Sequence, residues 1–111
     1  MELTGKCKKD FKKWYLETFI YLKHNIGKNL PSPNRFHRTV ESMQYGVYVD
    51  FFDSVGIRIS IRNIGNSYWY VINHPNTLGL KDRHESKFTE RPKARDEAVE
   101  KANEIYNLNN N

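Results

Sequence analysis

The side chains that could do chemistry in this 111-residue chain are few and scattered. Four histidines, His24, His37, His74 and His84, include no pair at the i,i+4 helical spacing that metal sites use. Asp50 and Asp53 flank Phe51-Phe52 and could share acid–base or metal work. Aspartate beside a hairpin turn, however, ordinarily serves the turn itself. Thr4-Gly5-Lys6 lacks the preceding strand and the first glycine that a phosphate loop needs. Cys7 is the single cysteine, which excludes an internal disulfide and every Cys-rich zinc pattern. Placed on an apolar helix face, it reads as a buried structural thiol. No catalytic residue, metal or cofactor is expected.

Binding chemistry is better represented. The formal net charge is +5, and residues 1–38 hold nine Lys/Arg against three Asp/Glu. The excess therefore sits in the N-terminal third, where Lys6, Lys8, Lys9, Lys12 and Lys13 crowd one short stretch. Such clustering suits a phosphate footprint or an acidic protein partner, and equally a solvated helix side. A second candidate surface comes from the middle of the chain. If the aliphatic residues of an alternating sheet face inward, Tyr48, Asp50, Arg58, Arg62, Tyr68 and Tyr70 share the opposite face. Tyrosine and arginine are enriched at interface hot spots, since each combines a large contact area with directed hydrogen bonds.

The elements that must position these residues follow from periodicity. Residues 4–26 read as a helix, with Thr4 as N-cap, Gly27 as stop, and Cys7, Phe11, Trp14, Tyr15, Thr18 and Leu22 on one face, which Phe19 and Ile20 widen. Lysines in its first two turns oppose the helix dipole. Leu30-Pro31-Ser32-Pro33 opens an irregular connection, with room for one helical turn between residues 36 and 43. Three strands are then expected at 44–52, 55–62 and 67–73, joined by turns at Asp53-Ser54 and at 63–66. Val47, Val49, Ile57, Ile59, Ile61, Trp69 and Val71 would face the helices. Residues 74–91 read as a polar loop. A closing helix from Pro92 to Leu108 carries the small apolar stripe Ala94, Ala98, Val99, Ala102, Ile105 and Tyr106, with Glu97 and Lys101 paired on its outer side. The fold class is thus α+β in the order α-β-β-β-α: a three-stranded antiparallel sheet with both helices on one face. One domain should span 1–111, with residues 109–111 frayed. No apolar run is long enough to span a membrane, and the opening residues lack a signal-peptide core, so a cytoplasmic location is expected.

The order α-β-β-β-α is similar to that of the double-stranded-RNA-binding domain, with Lys93-Ala94-Arg95 where that module grips phosphates. Asp96 and Glu97 follow at once, and the tight first turn leaves no loop for a minor groove. A second resemblance lies in the residues. Ser42 through Ile57, Thr89 through Tyr106 with its Arg-Pro-x-Ala-Arg-x-x-Ala run, and Leu3-Thr4-Gly5-Lys6-Cys7 resemble blocks of small phage and prophage proteins of Bacteroidetes-type bacteria. That resemblance implies a mobile-element accessory protein, a class that includes inhibitors of host defence such as anti-CRISPR proteins. The expected function is therefore non-enzymatic binding to a host defence protein such as a CRISPR effector, in the bacterial cytoplasm. The alternatives are an RNA- or DNA-binding module and a phage structural or housekeeping protein. A homodimer through the open sheet face would also fit.

Overall fold

The computed structural model describes residues 2–21, 31–75 and 81–110. Its elements are α1 (Gly5–Tyr21), a 3-10 helix (Pro33–Arg38), α2 (Glu41–Ser54), β1 (Arg58–Ile64), β2 (Ser67–Pro75), β3 (Lys81–Phe88) and α3 (Arg91–Asn109). The sheet is an antiparallel meander in the order β1-β2-β3. Ile59 lies opposite Ile72, Ile61 opposite Tyr70, and Tyr68 opposite Phe88. These residues share the face against which α3 and α2 pack, while α1 lies across α2 and α3. The expected α+β class, with three antiparallel strands between helices, holds. Among the described residues no helix is long and apolar enough to cross a membrane. The expected helical residues Leu22 and Ile26, the stop Gly27, and His24 lie outside the described residues.

Two elements differ from the sequence reading. The expected strand 44–52 is the body of α2. Its stretch supports both periods: Tyr45, Val47, Val49 and Phe51 alternate, but Gln44, Tyr48, Phe51 and Phe52 recur at helical spacing and are the ones buried. Asp53-Ser54 is consequently the last turn of the helix, not a hairpin. Gly56, with φ +86°, ends it. The Ile57 amide donates to the Phe52 carbonyl at 2.8 Å and the Gly56 amide to that of Asp53 at 3.1 Å, a Schellman closure requiring a left-handed residue. The third strand comes instead from residues 81–88, read in sequence as a polar loop. It is an edge strand, where polar and charged residues are tolerated and guard against edge pairing.

The core between α1, the 3-10 helix and α2 is built from rings. Phe11 is its hub, with ring centroids 5.0 Å from Tyr48, 5.4 Å from Phe36 and 5.4 Å from Phe51. Under α3 the packing uses small side chains: Ala94, Ala98, Val99 and Ala102 are fully buried, so the helix lies close to the strands. All six expected stripe residues of α3 are buried.

An asparagine clasp fixes the start of α1. The Thr4 amide donates to Asn103 Oδ1 and Asn103 Nδ2 donates back to Thr4 Oγ1, both at 2.9 Å. One turn along α3, Asn107 Oδ1 accepts from the Cys7 amide at 2.8 Å while its Nδ2 donates to the Thr4 carbonyl at 3.0 Å. The helix start is thus capped by another helix as well as by Thr4, whose carbonyl accepts the Lys8 amide. Gly5 sits inside this clasp at φ +61°.

Candidate binding surfaces

The expected Tyr/Arg sheet face is not assembled. Tyr48 belongs to α2 and is buried in the aromatic core, where burial pushes its hydroxyl up to about 12. Asp50 is exposed on α2 and belongs to no strand. Arg58 and Arg62 do point to the open face of β1. Tyr68 and Tyr70 point the other way, toward the helices: Tyr70 is buried and stacks on Phe88, and Tyr68 lies under Arg91. The correction is one of parity. Ile59 and Ile61 face inward as expected, and the register places Tyr70 and Ile72 beside them. Trp69 and Val71 therefore take the outer face, because a shift of one residue exchanges the two sides of a strand. The open face carries a cross-strand row Arg62–Trp69–Lys87, with Arg58 further along β1.

The lysine cluster stands where the helical reading put it. Lys6, Lys8, Lys9, Lys12 and Lys13 are all exposed on α1. Lys6 pairs with Asp10 at 2.7 Å. The hydrogen bond from Lys6, with a second from the Tyr106 hydroxyl, holds the Asp10 carboxyl below its ordinary value. Lys8, Lys9 and Lys12 have no carboxylate partner among the described residues. One feature escaped the sequence reading. Ile20 was expected to widen the buried face, yet Leu16 is 47% and Ile20 48% exposed. Lys8, Lys12, Leu16 and Ile20 follow one another at i+4 spacing and form a single row along the helix. The i+4 arithmetic was available in the sequence; which apolar residues the core left outside was not.

Beside this row lies a cleft of about 590 Å³. Lys8, Lys12 and Leu16 border it from α1, Pro33, Asn34 and His37 from the 3-10 helix, and Phe11, Tyr15 and Phe36 form its base. The Tyr15 hydroxyl donates to the Pro31 carbonyl, and Gln44 Nε2 donates to the Thr39 carbonyl at 2.8 Å, so the chain is tied down on either side of the 3-10 helix. Cys7 is fully buried, and burial followed by the nearby Asp10 charge pushes its thiol up to about 12. It has no thiolate to offer as a nucleophile. Of the other candidate residues, His37 is exposed on the 3-10 helix and His74 is buried on β2. Asp53 is exposed at the end of α2. Among the described residues no group of three or more His, Cys, Asp or Glu side chains converges as metal ligands would.

Comparison with protein-family models, with curated proteins and with solved structures returns no match.

Proposed function

We propose that this chain is a non-enzymatic binding protein of a phage or other mobile element, which engages a host defence protein in the bacterial cytoplasm through α1. A CRISPR effector is the kind of target that the resemblance of residues 3–7, 42–57 and 89–106 implies. The observation that supports a protein partner is the row Lys8–Lys12–Leu16–Ile20 beside its aromatic-based cleft. Half-exposed apolar side chains continuing a cationic row fit a groove that is acidic at one end and apolar at the other. A pure phosphate footprint has no use for Leu16 and Ile20. The cleft offers a pocket for one anchoring side chain of the partner.

A phage-plaquing assay tests this reading in a host whose CRISPR system targets that phage. Leu16→Ser with Ile20→Ser should leave the fold intact by circular dichroism and remove protection. Loss of one hot-spot contact costs about 2 kcal/mol or more, roughly 30-fold in affinity. Full protection by the folded double variant would take the interface off α1.

A second reading, nucleic-acid binding, is favoured by the Arg62–Trp69–Lys87 row on the open sheet face. An aromatic ring between two cations can stack a base and hold its phosphates. The series α2-β1-β2-β3-α3 also has the element order of the double-stranded-RNA-binding domain. Its first helix, however, carries Glu41, Asp50 and Asp53 and no basic residue, which opposes a phosphate backbone. Binding that falls by orders of magnitude from low to moderate salt, and is lost in Trp69→Ala but not in Leu16→Ser, would favour this reading over the first.

A further inference from the structure

Away from both surfaces, α3 opens with Arg91 and Arg95, one helical turn apart, over the junction of α2 with β1. They line a cavity of about 370 Å³ with Tyr45 and Val49 of α2 and Ile59, Ser60 and Ile61 of β1. The Arg91 guanidinium carbon lies 5.2 Å from the centre of the Tyr68 ring, and that of Arg95 5.2 Å from the centre of the Tyr45 ring. A guanidinium held over a ring by cation–π attraction keeps N–H groups with which to donate. Among the described residues neither arginine has a carboxylate partner: Glu90 is paired with Lys93, and Glu104 with Lys101. The Arg95 Nε is buried with no acceptor. The first turn of α3 holds no acidic residue.

Two cations that border one cavity, one of them partly buried with an orphaned donor, are both favoured by an anion placed between them. We propose that this cavity binds the phosphate group of a small phosphate monoester or of free phosphate. A carboxylate offers two oxygens in one plane. Two guanidiniums a turn apart approach from different directions, which suits the oxygens of a tetrahedral anion, and each can donate in a bidentate fork. Both arginines line the cavity, and the N–H groups of their guanidiniums are the donors it offers. Tyr45 and Tyr68 hold the two forks in place before the anion arrives. The site is independent of the α1 row, so either can fail without the other.

The experiment is titration of the whole chain with inorganic phosphate at fixed ionic strength, with chloride as the control. Phosphate should raise the melting temperature more than chloride does, and shift the backbone amide resonances of Ser60, Arg91 and Arg95. Arg91→Gln with Arg95→Gln should weaken binding at least about tenfold, the value of one charge-assisted hydrogen bond. Arg95→Lys keeps the charge and stem over Tyr45 but loses the planar fork, and should fall between. The resonance shifts in the natural chain keep the test decisive if the double variant fails to fold. A nucleoside 5′-monophosphate distinguishes the sources: tighter binding than phosphate assigns the site to nucleotides, and equal binding to free phosphate. Equal responses to phosphate and chloride, or an unchanged phosphate response in the folded double variant, would overturn the proposal.

Discussion

The lysines of α1 and the arginines of α3 are treated oppositely by the fold. Lys8, Lys9, Lys12 and Lys13 stand in solvent on a helix whose other side is locked into an aromatic core. Arg91 and Arg95 are drawn over tyrosine rings, and one of them buries a donor atom. Solvated lysines lose little by being clustered, because water and salt screen them. Arg95, partly buried against its ring, has lost part of that screening and gains most from a bound anion, while Arg91 beside it stays exposed to receive one. The contrast separates a surface that meets a large partner from a cavity that holds one chemical group.

The largest expected effect comes from removing the seat of α1. Phe11→Ala deletes the ring that touches Trp14, Tyr15, Phe36, Tyr48 and Phe51. Its cost should be about 3–5 kcal/mol, measured by urea denaturation. Phosphate should still stabilise whatever remains folded, because the Arg91–Arg95 cavity contains no part of this ring cluster. A loss below about 1 kcal/mol would mean that α1 is not held by its rings, and the contrast between its two sides would disappear.

How far the sequence carried the two regions differs for physical reasons. α1 and α3 were legible because each shows one dominant period: Cys7, Phe11 and Tyr15 on the first, and Ala94, Ala98 and Ala102 on the second. The exposed lysines followed directly. α2 was not legible, since its β-branched and aromatic residues satisfy a period of two while its buried set satisfies 3.6. Gly56 was the available signal, as a helix-ending residue directly before an alternating run. Misplacing α2 removed Tyr48 and Asp50 from the supposed sheet face. The parity of β2 then removed Tyr68 and Tyr70, because Trp69 and Val71 are as apolar as their neighbours and give no direction. The arginine cavity needed three elements brought together and could not be read from spacing alone.

A smaller effect is expected at the clasp. Gly5 has φ +61°, and a Cβ there would lie 3.1 Å from Asn107 Nδ2. Gly5→Ala must therefore strain the backbone and push aside the amide that caps Cys7. The cost should be about 1–3 kcal/mol by thermal melting followed with circular dichroism. The same variant should leave the phosphate response unchanged, since the clasp holds the opposite end of α3. A neutral Gly5→Ala would show that α1 starts without the asparagines' help.

The smallest effect is also the sharpest test of the contrast. Lys8, Lys9, Lys12 and Lys13 are exposed, and at least three of them lack a carboxylate partner among the described residues. They sit near the start of a helix whose first turn holds no acidic residue, where the dipole disfavours positive charge. Changing all four to glutamine keeps side-chain length and helix propensity while removing the charge. Each exposed substitution should alter stability by less than about 0.5 kcal/mol. Relief of the dipole misfit acts in the stabilising direction, so the melting temperature should stay level or rise. Activity should fall in the same variant, because the charge that steers an acidic partner to the row is gone. Lys6 is left in place, since its ion pair with Asp10 belongs to the α1–α3 seam. A fall of several kcal/mol would make these lysines structural, and the row beside the cleft would then be part of the fold's scaffold and not a contact surface.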